Sequence, residues 1–179
     1  MDNQQERFDL KLAWLAGIIE GEGWVSLGLV KSLKRDKSIY PAYVPNMGLT
    51  NTDIGMVEEA ERIFNHLGIK YRSQLRKAYV GSDGISRKEK KEISVATHES
   101  FTILANAIRP FMIGEKRNRI DKVLKFLEIR SSKPRRGKES RYGQEEHDIY
   151  LSLYSYKGKV DKSKILNDYT PGSQYSDKI

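Results

Sequence analysis

The chain has 179 residues, which is room for one sizeable domain with a tail and enough length to bury a core. Lys and Arg total 32 against 24 Asp and Glu, a net charge of +8, so an anionic partner is a reasonable expectation. The sequence contains no Cys, which excludes disulfides, thiolate zinc sites and a cysteine nucleophile.

The N-terminal region and the histidines narrow the function classes further. The polar start MDNQQERFD does not resemble a signal peptide, and no apolar run approaches the roughly 20 residues of a membrane span. We therefore expect a protein that works inside a cell or organelle without a membrane partner. His66, His98 and His147 lack the spacing of a metal cluster, and we interpret all three as structural.

A helix followed directly by a hairpin is the first predicted unit. Apolar residues recur at helical spacing from Phe8 to Glu22, with Asp9 as the predicted N-cap. From Trp24 the pattern changes to period two, which predicts a strand, and a second strand follows from about Tyr40 to Asn51. The residues that alternate onto the more polar face are Ser26, Val30, Ser32, Asn46 and Gly48.

The pattern of helix and hairpin then repeats. Thr52 and Asp53 are capping residues for a second helix, whose apolar stripe ends at Gly68. One strand is predicted from Lys70 to Val80 and the other from Lys88 to Thr97, joined by the turn sequence GSDG. Alternation directs one set of side chains to the helices and another to the opposite face. The first set is Tyr71, Leu75, Ile93 and Val95; the second is Arg72, Gln74, Arg76, Lys88, Lys90 and Ser94.

Two further helices complete the predicted core. The third contains Phe101 and Ile108 and stops at Pro110, and the fourth contains Ile120 and Leu127. The order αββαββαα predicts an α+β fold, in which one antiparallel sheet carries its helices on a single face and leaves the other face free for a ligand.

The composition changes after Arg130. RSSKPRRGKESR contains six basic residues and one acid, which predicts a linker or basic arm, and EEHDIYLSLYSYKGK could form a short helix. We therefore divide the chain into a core, residues 8–129, and a basic C-terminal extension, residues 130–179, partly helical or disordered.

The junction between the first helix and the first strand holds an unusual set of glycines and acids. Gly17 and Gly21 lie about 40° apart on a helix, which favours close approach of another backbone over a frayed helix end. Glu20 and Glu22 are separated by about 200°, so they cannot form a carboxylate pair within one helix. Two solvated glutamates are the interpretation that chemistry alone favours; a divalent cation bound at Glu22 is the alternative.

The sequence LAGIIEGEG, from Leu15 to Gly23, resembles the signature of the LAGLIDADG homing endonucleases. It has Ile for Leu at 18, Glu for Asp at 20 and 22, and Gly for Ala at 21. The predicted order of elements is similar to that family's αββαββα core, with its saddle-shaped antiparallel sheet facing DNA. The resemblance extends over residues 8–129.

The resemblance implies a site shared by two copies of the chain. Because the motif occurs once, it implies a C2 homodimer in which two such helices meet. The interface residues it implies are Leu12, Leu15, Ala16, Gly17, Glu20 and Gly21, with Glu20 structural. It implies that Glu22, with Gly21 beside it, holds Mg²⁺, for which Mn²⁺ or Ca²⁺ could substitute in binding, and it implies no other small-molecule cofactor.

Two further catalytic residues follow from the same resemblance. Asn51, at the end of the second strand, and Lys116, after the second hairpin, match positions that order the hydrolytic water. Lys116 needs a one-residue gap to align, and an exposed lysine at a helix start is the alternative. Arg117 and Arg119 could neutralise phosphates instead.

The free face of the sheet is then the expected platform for double-stranded DNA. Arg72, Gln74 and Arg76 are the predicted base contacts, because Arg and Gln side chains read guanine and adenine edges. The full set of predicted DNA-binding residues is Ser26, Val30, Ser32, Lys34, Arg35, Asn46, Gly48, Arg72, Gln74, Arg76, Arg87, Lys88, Lys90, Arg117 and Arg119. Lys91 is a further candidate for phosphate contact.

The resemblance implies a site-specific homing endonuclease that makes a double-strand break in a long, near-palindromic DNA site and leaves short 3′ overhangs. A non-cleaving RNA maturase or DNA-binding regulator on the same scaffold is the alternative. A basic structural RNA-binding protein is a third hypothesis, which predicts neither a dimer nor metal-dependent cleavage.

Overall fold

The computed structural model describes residues 3–33, 39–134 and 141–154 and has an α+β fold, as the sequence predicts. Its elements in chain order are α1 (Asn3–Glu22), β1 (Trp24–Leu33), β2 (Ile39–Asn51), α2 (Ile54–His66), β3 (Arg72–Arg76), β4 (Tyr79–Val80), β5 (Ser86–Arg87), β6 (Lys90–Val95), α3 (His98–Ile108), a 3₁₀ turn (Arg109–Phe111), α4 (Glu115–Ser132) and α5 (Gln144–Tyr154). Within these ranges, no helix has the length and apolar content needed to cross a membrane.

Four strands form the main sheet in the order β1-β2-β6-β3. β6 pairs antiparallel with β2 on one side, where Leu49 lies opposite Ile93, and with β3 on the other, where Arg72 lies opposite Ser94. The short strands β4 and β5 form a separate two-stranded ribbon. β6 of the second hairpin therefore pairs with the last residues of β2 in the first hairpin. Both hairpins belong to one sheet, as the repeated pattern predicts.

The second hairpin differs from the prediction because neither of its strands is continuous. The chain leaves the ladder between Arg76 and Tyr79 and again between Arg87 and Lys90. Every side chain of β3, β4 and β5 is exposed. The register of a strand is specified mainly by burial of one of its faces. Because β3, β4 and β5 have no buried face, regular pairing is not specified at this end of the second hairpin. The turn itself is present, with Gly84 N donating to Gly81 O at 2.9 Å.

The first helix also differs from the prediction, because it begins at Asn3 rather than near Phe8. Asp9 therefore lies inside the helix and is not its N-cap. Gln, Glu and Arg have high helix propensity, so the polar residues before Phe8 continue the helix even without an apolar stripe. By contrast, the predicted cap of α2 is confirmed: Asp53 Oδ1 accepts from Met56 N at 3.2 Å.

The chain divides into two units, of which the first comprises Met1–Gly28 and Val44–Ile120. Its core lies between one face of the sheet and α1, α2 and α3. The large side chains that are buried there include Leu15, Ile19, Leu27, Met47, Leu49, Phe64, Ile93, Phe101 and Leu104. α1 packs against α2, α3 and the 3₁₀ turn, and α2 packs against β6. On the opposite face of the sheet, which we call the uncovered face, Arg72, Gln74 and Arg76 of β3 are exposed.

The second unit comprises Leu29–Tyr43 and, from Asp121 onward, α4 and the predicted short helix α5. The Tyr43 ring lies at its centre, 5.5 Å from the Phe126 ring and 5.0 Å from the Tyr150 ring. The expected boundary between residues 129 and 130 coincides with no boundary of either unit. Because Glu146 and His147 of α5 are buried, this part of the extension is folded.

Candidate active site and nucleic-acid interface

Close backbone contacts fix the position where α1 ends. A Cβ atom on Gly23 would lie 2.7 Å from Gly48 O, and one on Gly48 would collide with the backbone of Ile93 and Ser94. Only glycine permits backbones to approach this closely. The last turn of α1 is therefore held directly against β2, and β2 is held against β6.

Glu22 and Asn51 meet at this junction. The Asn51 side-chain amide donates to Glu22 Oε2 at 2.5 Å, and its oxygen accepts from Asp53 N at 2.8 Å. The bond from Asp53 fixes the orientation of the amide, so its NH₂ group must face the carboxylate. Glu22 is exposed, which leaves its other oxygen accessible to solvent.

Lys116, the third predicted catalytic residue, contacts the same turn of α1 from a different direction. Its Nζ donates to Ile19 O at 2.9 Å and to Glu20 O at 2.5 Å, and its backbone N donates to Glu20 Oε1 at 3.2 Å. Burial lowers the pKa of Lys116. This ammonium therefore neutralises carbonyls at the negative end of the α1 dipole.

Glu20 contacts the start of α4, and its predicted place in the interface stays a prediction. It receives the Lys116 backbone, and a Cβ on Gly114 would collide with its carboxylate. Gly114 and Glu20 thus fit closely where α4 begins.

The carboxylate of Glu22 is a suitable ligand for a divalent cation, but Glu22 alone would not complete the coordination of such an ion. The described residues contain no group of three or more His, Cys, Asp or Glu side chains that could chelate a metal. Glu22 and the exposed Gly21 offer one carboxylate and a neighbouring backbone carbonyl, both oxygen ligands of the kind Mg²⁺ prefers. Mg²⁺ binds through one or two carboxylates and keeps several waters, so this donor set is compatible with Mg²⁺ but leaves most of its coordination to other ligands.

The exposed face of α1 corrects the predicted interface. Leu15 and Ala16 are fully buried in the chain's own core, and Leu12 is 7% exposed, so the prediction that these three contact a second copy is wrong. Gly17 and Gly21 do face outward, and a Cβ on either would meet nothing within 4 Å in this chain. Leu10, 67% exposed, lies two turns from Gly17 on the same stripe.

The uncovered face of the sheet carries the predicted polar side chains. Across β2, β6 and β3, the register places Gly48 beside Ser94 and Arg72, and Thr50 beside Glu92 and Gln74. Arg72, Gln74 and Arg76 are all exposed, and Arg72 Nη2 donates to Gln74 Oε1 at 3.3 Å. The register confirms the predicted alternation for Arg72, Gln74 and Arg76, which share this face with Lys90 and the buried Ser94, whereas the DNA contacts themselves stay predictions.

Several predicted contacts are modified by their neighbours. Asn46 accepts a 2.6 Å bond from Trp24 Nε1, which leaves its NH₂ group as the part able to reach a base. Gly48 is buried and serves the backbone contact described above. Val30 is 43% exposed, as expected. Leu75, expected to face the helices, is 51% exposed because β3 extends past the core at that point.

Other predicted DNA-binding residues fall into three groups. Lys88 is exposed but lies between β5 and β6, so it is not a strand residue, and Arg87 pairs with Asp83 at 2.6 Å. Arg117 donates to Met112 O at 3.1 Å, and Arg119 is paired with Glu115. Lys34, Arg35 and the side chain of Ser32 lie outside the described residues.

Lys90 and Lys91 alternate to opposite sides of β6. Lys90 lies opposite Arg76 on the uncovered face. Lys91 instead pairs with Glu61 at 2.9 Å, and that hydrogen bond raises its pKa. A phosphate contact by Lys91 is therefore disfavoured, since its charge is already balanced.

Two residues of this surface were missed by the sequence interpretation. Trp24 orients Asn46, and Glu92 accepts from Arg76 Nη2 at 3.0 Å in the middle of the polar face. Alternation with the buried Ile93 was a signal that could have identified Glu92, but an acid is not expected on a surface proposed to face a polyanion.

Comparison with known proteins identifies the fold. No protein-family model matches the chain, and no curated protein matches it in sequence. The archaeal intron-encoded homing endonuclease I-Vdi141I, solved in complex with DNA, matches with a TM-score of 0.60 at 20% identity, covering 89% of this chain and 94% of its own.

Two other solved structures show the same likeness. The homing endonuclease I-CvuI, solved with its target in the presence of Ca²⁺, matches with a TM-score of 0.53 at 18% identity, over 81% of this chain and 83% of its own. The LAGLIDADG meganuclease I-AabMI, bound to uncleaved DNA, matches with a TM-score of 0.56 at 16% identity, over 87% of this chain but 48% of its own.

Proposed function

We infer, from the LAGLIDADG homing endonuclease fold of this chain and the residues at its junction, that it is a site-specific DNA endonuclease of that family. The observation that carries the proposal is the hydrogen bond between Asn51 and Glu22. It joins the motif's second acid to the polar residue at the end of β2, two positions that the resemblance had named independently. An accidental nine-residue match would not be expected to bring them together.

The proposed cofactor is Mg²⁺, held by Glu22 and the Gly21 carbonyl of each copy. When bound, such an ion supplies Lewis-acid stabilisation of charge on a phosphodiester and lowers the pKa of bound water. Asn51 orients the Glu22 carboxylate by donating to one of its oxygens. Lys116 stabilises the carbonyl end of α1, so that a carboxylate is tolerated where the helix dipole disfavours it.

We propose that the active protein is a homodimer. Glu22 is one carboxylate near the end of α1, and Gly17 and Gly21 form an open stripe on the same helix where a second backbone could approach. The chain spans 94% of I-Vdi141I but 48% of I-AabMI, so it corresponds in length to about half of the latter protein. C2 symmetry would bring two Glu22 residues to one site.

The proposed substrate is a long, near-palindromic DNA duplex bound on the uncovered face of the sheet. Arg72, Gln74 and Arg76 project from β3 at alternate positions, and each can contact a base edge in the major groove. A symmetric dimer would read two half-sites related by a two-fold axis. We further propose a double-strand break with short 3′ overhangs, and a role in intron homing.

The test uses the full-length chain and a DNA duplex that it selects itself. Duplexes bound from a randomised pool in Ca²⁺ would be amplified, and the enriched sequence would then be incubated with protein and Mg²⁺. We expect cleavage of both strands that stops when the metal is chelated. Glu22→Gln should bring cleavage below detection while changing the DNA dissociation constant by less than about tenfold, or about 1.4 kcal/mol.

Glu128→Gln provides the matched control, because Glu128 is exposed on α4 and has no role in the proposed site. This variant should cleave at the wild-type rate. Cleavage by Glu22→Gln at the same rate would contradict the metal assignment.

A non-cleaving DNA-binding protein on the same scaffold is the second candidate. The observation in its favour is that Lys116 Nζ is occupied by two backbone carbonyls. The same assay separates the two candidates, since this one predicts an enriched duplex that remains intact in Mg²⁺.

A further inference from the structure

We propose that Glu92 is a specificity-determining residue that contacts a cytosine in each half-site of the DNA. The inference rests on the proposed function and deepens it, because it assigns a base to one position of the target. Glu92 is an acidic residue on a surface that we propose binds a polyanion. Among the described side chains on the uncovered face of the four-stranded sheet, Glu92 is the single carboxylate.

The position of Glu92 is central on that face. The register places it between Thr50 of β2 and Gln74 of β3, with its neighbour Ile93 fully buried on the other side of the sheet. Its side chain is 27% exposed, so the carboxylate can be reached from solvent. A duplex that lies along Gln74 and Arg76 would therefore pass over Glu92 as well.

Stabilisation of the fold does not explain this carboxylate. Its partner is Arg76, at 3.0 Å, whose side chain is 48% exposed. An ion pair this accessible contributes little to the stability of the fold. On a surface that binds phosphates, each acid also opposes the polyanion, so Glu92 would weaken DNA binding unless it contacted the bases.

The chemistry of the pair suits one base pair type. A carboxylate accepts from the exocyclic amino group of cytosine, and Arg donates two bonds to O6 and N7 of guanine. Arg76 donates to Oε2 of Glu92, and a carboxylate has two acceptor oxygens, so acceptor positions remain for a cytosine amino group. The bond to Glu92 in turn fixes one edge of the Arg76 guanidinium and leaves other donors for guanine.

Three variants separate the charge of Glu92 from its contact with a base. Glu92→Gln removes the charge and replaces one acceptor oxygen by a donor. Glu92→Asp keeps the charge but is one methylene shorter. Glu89→Gln removes a charge from an exposed residue three positions earlier, outside the strand. All four proteins would select duplexes from the same randomised pool, and affinities for the wild-type consensus and for a scrambled duplex would be measured.

We expect the wild-type consensus to contain one C·G pair per half-site whose preference drops at least tenfold in both Glu92→Gln and Glu92→Asp, with other positions unchanged. Glu89→Gln should retain the full preference. Both Gln variants should bind the scrambled duplex more tightly, because each removes a negative charge; Glu92→Asp should not.

The proposal is overturned if Glu92→Gln and Glu92→Asp enrich the wild-type consensus unchanged, or if Glu89→Gln loses the same base preference. The proposed function would survive either result. Failure of the wild-type protein to enrich any sequence would overturn both.

Discussion

At the scale of single residues, Asn51 and His147 each have a side chain that contacts a specific neighbour, and only Asn51 belongs to the candidate site. Asn51 is held by the Asp53 backbone and donates to Glu22. In the second unit, His147 is 2% exposed, and its Nδ1 lies 2.6 Å from the Tyr43 hydroxyl. The first interaction belongs to the proposed chemistry, whereas the second bears out the structural interpretation of this histidine.

We predict that Asn51→Ala slows cleavage about 10- to 100-fold, the usual effect of removing a residue that orients a metal ligand. DNA affinity should change little, because Asn51 is not on the uncovered face of the sheet. Single-turnover cleavage of the selected duplex in Mg²⁺ measures the effect. Asn106→Ala, an exposed position on α3, is the control, and equal rates for the two variants would refute the role.

His147 should make stability depend on pH. Burial lowers its pKa, while the neighbouring Asp148 acts in the opposite direction, and the Tyr43 hydroxyl and Tyr150 ring also face it. Since the unfolded chain then binds a proton more readily, the free energy of unfolding should fall as pH drops below about 6.5. Above that pH the contribution is fully present.

Urea unfolding at pH 7 and pH 5 measures this difference. We expect His147→Gln to lose less stability than the wild type over that interval, since it has no titrating ring. His98→Gln, at an exposed position, should behave as the wild type does. An identical loss in His147→Gln and the wild type would show that other groups cause the dependence.

At the scale of elements, α5 shows how a polar segment becomes part of a core. Glu146 is fully buried, yet its carboxylate accepts from Arg130 at 3.1 Å, from Gly143 N at 2.5 Å and from Lys133. The backbone N–H of Gly143, just before the first turn of α5, has its hydrogen bond satisfied by Glu146. The acidic residue of a capping box makes the same bond at a helix N-terminus. Arg130 also lies over the Tyr142 ring, with 4.4 Å from its Cζ to the ring centroid. The predicted basic arm thus begins with folded structure.

Adjacent glutamates of α5 allow a controlled test. Glu146→Ala should lower the free energy of unfolding by about 3–5 kcal/mol, because it leaves Arg130 and Lys133 without their buried partner. Glu145→Ala removes a pair with Lys125 in which both side chains are about 60% exposed, and should cost less than about 1 kcal/mol. Denaturant unfolding of both variants gives the comparison, and similar values would show that Glu146 is not anchoring α5.

At the scale of the whole molecule, we propose that the active protein contains two copies of the chain. α1 is apolar on more than one side: Leu15 and Ile19 are buried in the core, while Leu10 is exposed on the stripe that contains Gly17 and Gly21. This stripe is where we propose that the second copy binds. Its small residues would allow the two helix backbones to approach closely.

Gly21→Leu should convert the proposed dimer to a monomer, measured by sedimentation. Within one chain the new side chain meets open space, and Leu favours a helix over Gly by about 1 kcal/mol, so the stability of the single chain should not fall. Glu128→Leu adds the same side chain on exposed α4 and should leave the dimer intact. An unchanged sedimentation coefficient for Gly21→Leu would refute the interface.

The order of helices and hairpins, the position of the motif at the end of α1 and the alternation of β3 and β6 could all be predicted from the amino-acid sequence. Each of these depends on local periodicity or a short motif, which neighbouring residues specify without long-range contacts. The sequence also identified Glu22 and Asn51 as candidates, because both occupy recognisable positions at element ends.

Which of these residues contact each other depends on long-range packing. Glu22 and Asn51 are 29 positions apart, and their contact depends on Gly23 and Gly48 bringing α1 against β2. Periodicity could not assign Leu12, Leu15 and Ala16 to the chain's own core. A helix with apolar residues on two sides can pack either side against its own core and leave the other side for a partner. Nor could periodicity show that Glu146 is buried, since a charged residue enters a core only where distant partners compensate its desolvation.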